Sequence, residues 1–185
     1  MLRKPLRFLF GTHSDGFYHE INALITLVFL TLGSLALAFT GIPIFALGVV
    51  NGGTCGLFID PDLDHHDTTR AEYRARRVFG RFIGTMFQWY WMPYTILGHR
   101  NLLTHGGPPP VGWMIMVLIA TPLRMLYTFL PLIIPALVYP PIGRVLAALP
   151  LAFYVGLWAG WAAQDLVHWK RDYRKWKRRK YKFRR

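Results

Sequence analysis

Apolar residues run through this sequence in blocks too long for an ordinary globular core. Ile21 to Thr40 holds no charged residue, and a helix needs about 20 apolar residues to cross a bilayer. Gly41 to Ile59 is almost as clean, broken only by Asn51 and small residues such as Gly52, Gly53 and Gly56. Glycines of that kind let a second helix approach closely. The two blocks meet at Thr40-Gly41-Ile42-Pro43, which leaves room only for a tight turn. A second pair, Val111 to Val138 and Ile142 to about Ala163, is joined at Tyr139-Pro140-Pro141. The pattern predicts an all-α integral membrane protein with four transmembrane helices, at about 21–40, 41–59, 111–138 and 142–163, forming two hairpins. Within the third block, Pro122 and Arg124 leave two arrangements open. Either 111–121 lies in the interface and the span starts near Met125, or Arg124 faces an interior acidic site.

The connecting segment 60–110 is patterned too. From Arg70 to Phe87, Ala71, Ala75, Val78, Phe79, Phe82 and Met86 recur at helical spacing, while Arg70, Arg74, Arg77 and Arg81 fall on another face. That predicts an interfacial helix, apolar side down, with its arginines toward lipid phosphates. Trp89-Tyr90-Trp91-Met92-Pro93-Tyr94 follows, an aromatic cluster of the kind that forms a belt at the membrane boundary.

Composition sharpens this picture. A chain that is 53% hydrophobic can bury too much surface to be disordered, and its single cysteine, Cys55, excludes a disulfide framework. The formal charge of +13 would suggest a binder of polyanions. Its placement says otherwise: the last sixteen residues, Lys170 to Arg185, hold 11 of the 22 basic residues against one acid, Asp172. The expected division is a membrane domain, 1–169, and a basic aromatic tail, 170–185. Arg3, Lys4 and Arg7, the loop arginines and the tail all fall on one side of the predicted spans. Basic flanks stay in the cytoplasm, so both termini are expected there. Ala36-Leu37-Ala38 fits a leader-cleavage pattern, but the polar stretch before it is too long for a leader, and the first span reads as retained.

Histidines and acids avoid the apolar blocks and gather in four segments at their inner ends: 11–20 (GTHSDGFYHE), 60–67 (DPDLDHHD), 98–107 (GHRNLLTHGG) and 162–169 (AAQDLVHW). Asp60, Asp62 and Asp64 point one way if that run is extended; in a helix Asp62 meets His65 and His66 instead. A calcium loop is excluded, because His65 stands where it needs glycine and Ala71 where it needs glutamate. Asp165 and His168 share a helix face. Mixed imidazole and carboxylate donors suit zinc, manganese or iron. There are enough of them for two ions, which would activate a bound water, while Arg100 or Arg124 could orient an anionic group.

Those residues carry a resemblance. The order of an early histidine-acid pair, two spans, GLFIDPDLD, WYWMPYTILGHRNLLTHGG and PLRMLY resembles a family of bacterial integral-membrane proteins described as metal-binding. More distantly it is similar to the LexA-regulated, membrane-bound metal-dependent hydrolases. The match covers roughly 12–130. It implies that Asp62, Asp64, His99 and His105 are metal ligands, with His19 preferred over His13 as the early histidine, and Asp165 and His168 completing the set. It also implies a bacterial inner-membrane location. The expectation is therefore a membrane metal-binding protein carrying zinc or manganese, as one or two ions. If it is an enzyme, the expected reaction is hydrolysis of a lipid-like or phosphorylated substrate, with Arg100 orienting it. The alternative is a non-enzymatic subunit of a homo-oligomer or larger membrane assembly. Its tail, with Lys175, Lys177, Arg178, Arg179 and Lys180, would bind anionic lipid headgroups by default or nucleic acid instead.

Overall fold

The computed structural model describes residues 14–59, 63, 70–97, 102–106 and 111–182, without the side chains of 14–20, 70, 71, 74, 172 and 175–182. Among these the regular elements are all helical. They are α1 (Ser14–Phe39), α2 (Pro43–Phe58), α3 (Arg70–Trp91), a 3-10 segment (Met92–Leu97), α4 (Leu102–His105), α5 (Gly112–Ile115), a π-helical segment (Met116–Ala120), α6 (Thr121–Val138), α7 (Pro140–Ala148) and α8 (Leu151–Lys182).

Two helical stretches are long and apolar enough to cross a bilayer: Ile21–Phe39, and Gly112–Val138 formed by α5, the π segment and α6. The first bares Val28, Phe29, Leu32, Leu35 and Phe39, an apolar surface suited to lipid. A third span is reached only if α7 and α8 count as one, and they are bent by 78°. The four expected spans are thus reduced in two places. α2 has 16 residues, a rise of about 24 Å, short of the bilayer's hydrocarbon thickness. The fourth block does not run from Ile142, because Pro150 removes a backbone donor and its ring forbids a continuous turn.

The helices also pair differently from two sequential hairpins. α1 and α2 do turn back on each other at Gly41, whose φ of 91° suits glycine. α2's principal partner, however, is α8. Gly48, Gly52 and Gly56 form one face of α2, and Gly156 and Gly160 face them from α8. A Cβ on Gly52 would stand 2.9 Å from the Trp161 nitrogen, and one on Gly160 would stand 2.8 Å from the Gly53 nitrogen. The backbones therefore touch, the small-residue packing by which helices associate in lipid.

Three prolines expose carbonyls that aromatic side chains then satisfy. Thr121 N–H reaches back five residues to Met116 O, so in this π register Val117 O faces Pro122, which has no N–H. The Trp158 indole donates to it at 3.0 Å. Pro131 leaves Tyr127 O without its helical donor, and the Tyr90 hydroxyl supplies one; Tyr127 returns a bond to Tyr90 O at 2.7 Å. Burial, then the neighbouring Tyr127, pushes the Tyr90 hydroxyl above its usual pKa. Pro150 has no N–H to give Leu146 O, which accepts instead from Leu149 N–H at 3.2 Å and from the Tyr154 hydroxyl. Away from water an unmade carbonyl bond costs several kcal/mol. Trp158→Phe should therefore lower stability by about 1–3 kcal/mol, read as a fall in thermal midpoint in detergent.

The central segment departs from the expected single amphipathic helix. α3 breaks at Gly80 (φ 86°, ψ 168°) and folds back, so that Arg76 donates to Gln88 and a Cβ on Gly84 would touch Arg76. Arg77 and Arg81 consequently lie on different helical segments, and the arginine stripe is not continuous. The aromatic cluster divides as well. Trp89 is 72% exposed, as a belt residue would be, but Trp91 and Tyr94 are buried with Ile59, Leu63 and Trp161 in the main core. Helical periodicity could not reveal a fold-back made by one glycine.

Candidate functional site

The site is built where α4, the π segment, α6 and α8 meet. α4 is a single turn, Leu102–His105, ended by Gly106 at φ 72°. A Cβ on Gly106 would stand 2.7 Å from Met116 N, so glycine is what lets this turn sit against the π segment. His105 is thereby held in the interior, 6% exposed. Its Nδ1 lies 3.1 Å from the Thr104 hydroxyl, which fixes the ring, and Nε2 is buried. His168 comes from α8, and the two rings stand 5.6 Å apart, edge to face.

Beside them lies a buried ion pair. Arg124 and Asp165 are both fully buried and bonded through Asp165 Oδ2. Of the two arrangements open for Arg124, the structure adopts the interior acidic partner. Arg124 also donates to Thr104 O at 3.1 Å, so one guanidinium holds both the turn bearing His105 and the helix bearing His168. The Thr121 hydroxyl stands between Met116 O, 2.9 Å away, and Asp165 Oδ2; its one hydrogen serves one acceptor at a time. Asp165 Oδ1 is buried and, among the described residues, accepts no hydrogen bond. The preceding residue on α8, Gln164, donates to Ala23 O at 3.1 Å and Gly53 O at 3.3 Å, tying α8 to α1 and α2. Ala23 is at the beginning of the apolar stretch Ile21–Phe39, so this cluster sits at one rim of the apolar layer.

Of the expected ligands, the structure brings together His105, Asp165 and His168. Asp62, Asp64, His99 and Arg100 lie outside the described residues, as do the side chains of His19, Arg70, Arg74, Lys175, Lys177, Arg178, Arg179 and Lys180. Leu63, flanked by the two aspartates, is 1% exposed in the cluster that contains Trp161, one helical turn before Asp165. Among the described residues, no three His, Cys, Asp or Glu side chains form a group that could hold a metal ion. Thr121 and Gln164 were not singled out by sequence reasoning, although each is a polar residue beside a proline or a ligand-type residue.

No protein-family model, curated protein or solved structure matches the chain.

Proposed function

We propose that this chain is a multi-pass membrane protein that holds a divalent transition metal at the rim of its helical bundle, with zinc or manganese as the ion. The observation that carries this reading is the convergence of His105 and His168, from elements distant in sequence, beside a buried carboxylate with an open oxygen. Imidazoles are donors that such ions take, although His105, His168 and Asp165 do not by themselves form a group that could hold an ion. Asp62, Asp64 and His99 would supply the remaining ligands, with His19 from the start of α1, and a shared aspartate would permit two ions. The resemblance to membrane-bound metal-binding proteins rests on these same positions. In the topology that goes with this reading, α1, the 112–138 helix and α8 cross a bacterial inner membrane, and the shorter α2 crosses with local thinning of the bilayer. The termini and the metal site then face the cytoplasm.

Bound metal would polarise a phosphoryl or carbonyl oxygen and lower the pKa of a coordinated water. The chain's own residues hold the imidazoles in place through Thr104, Arg124 and Asp165, and Arg100 would orient an anionic substrate group. The rim location gives the site access to lipid-like or phosphorylated substrates, which makes hydrolysis the reaction class. A second reading is a structural staple, favoured by the complete burial of Thr104, Thr121, Arg124 and Asp165, since closed sites are structural ones.

Purified protein should contain about one or two transition ions per chain, and the double variant Asp62→Ala with Asp64→Ala should lose most of them by elemental analysis. Wild-type protein without transition metal, after purification in its presence, would overturn the reading. Release of phosphate or fatty acid from membrane lipids separates enzyme from staple.

A further inference from the structure

The last helix changes its chemistry abruptly without a change of structure. From Leu151 to Trp169, α8 has no lysine or arginine; from Lys170 to Lys182 it has nine, against the single acid Asp172. The helix is unbroken across this boundary, and the rings of Trp169 and Tyr173 stack across it at 5.6 Å and 12°.

The direction of this basic segment follows from the packing below it. Gly48 faces Gly156 and Leu157, Gly52 faces Leu157 and Trp161, and Gly56 faces Gln164, so α2 and α8 run parallel. α2 turns straight back from α1, which carries an apolar spanning stretch. The axis of α8 therefore follows the span, and its basic end continues outward along that axis. Thirteen residues rise about 20 Å, whereas the field of a charged membrane is screened within about 8 Å at physiological ionic strength. A helix lying on headgroups would need a break near Trp169 and a sustained apolar stripe. No break occurs, and the stripe Trp169, Tyr173, Trp176 meets Lys180 at its next position.

We propose that the basic end of α8 is a nucleic-acid-binding arm that stands off the membrane and neutralises backbone phosphates. Charge complementarity selects the partner: beyond the headgroup field, a dense row of cations is matched by a polyanion in the aqueous phase, and phosphodiester chains supply one. The proposal does not depend on the metal site.

The test uses the full chain in nanodiscs, of zwitterionic lipid alone or with anionic lipid added, and a labelled oligonucleotide, duplex or single-stranded. Binding is expected in both discs. Between 50 and 200 mM salt its affinity should fall roughly 100- to 1,000-fold, as expected for about four to six phosphate contacts. Changing Lys175, Lys177, Arg178, Arg179, Lys180 and Lys182 to Gln should weaken binding at low salt by about 100-fold, with metal content and thermal midpoint unchanged. Binding that vanishes when anionic lipid is added would show the arm on headgroups and overturn the proposal. Equal binding by wild type and the Gln variant would overturn it too.

Discussion

Arg124→Met should destabilise the protein by about 3–5 kcal/mol, because it leaves Asp165 as a buried charge without its cation. The carboxylate would keep only the Thr121 hydroxyl, and Thr104 O would lose its bond from Arg124. The turn that holds His105 should loosen with it. The damage is expected to be asymmetric. Arg124→Met combined with Asp165→Leu removes both charges and should recover much of the thermal stability. Metal affinity should not recover in the double variant, since the bracket between α4 and α8 stays missing. Thermal unfolding in detergent with parallel metal titration separates the two effects. If the single and double variants are equally unstable, Arg124 contributes by packing and not by pairing.

An equally large effect is expected from Gly52→Val. The new Cβ alone would stand 2.7 Å from the Leu157 carbonyl carbon and 2.9 Å from the Trp161 nitrogen. Both are backbone atoms of α8 and cannot swing aside, so the helices must separate. Overpacking of this kind costs roughly 1–3 kcal/mol where side chains can adjust; against backbone the loss should be at the top of that range or above it. Separation also pulls Gln164 from Gly53 O and shifts His168 along with α8. Gly33→Ala is the control, because a Cβ there meets nothing within 4 Å. It should leave stability unchanged or raise it slightly through helix propensity. A melt in which the two variants behave alike would contradict the close α2–α8 contact.

The sequence made the helical class legible because its apolar blocks are long and lack charge. It also made legible the approach of His105 to His168, because ligand-type residues avoided those blocks. What it did not reveal were the pairings. Gly48, Gly52 and Gly56 announce a close neighbour without saying which, and the neighbour is α8 instead of α1 alone. Pro122, Pro131 and Pro150 announce broken ladders, but not that Trp158, Tyr90 and Tyr154 would fill them. Trp91 and Tyr94 look like boundary residues by composition. They are core because the chain folds back at Gly80 and carries them onto Tyr127 and Trp161. Long-range placement of this sort has no local signature.

The tail offers the same lesson from the other direction. Composition separated 170–185 from the membrane domain, whereas the backbone joins it to α8 as one helix as far as Lys182. Chemistry marks the boundary and structure does not.

The central claim, a transition-metal site that uses both His105 and His168, is tested most directly by cobalt substitution. The purified protein, stripped of metal and reloaded with Co(II), would be followed by visible absorption, in wild type and in the separate variants His105→Gln and His168→Gln. The account predicts a ligand-field band of low-symmetry cobalt in the wild type, saturating at about one or two ions per chain and shifted or lost in each variant. A wild-type spectrum identical to hexaaquo cobalt, or one untouched by either substitution, would contradict it.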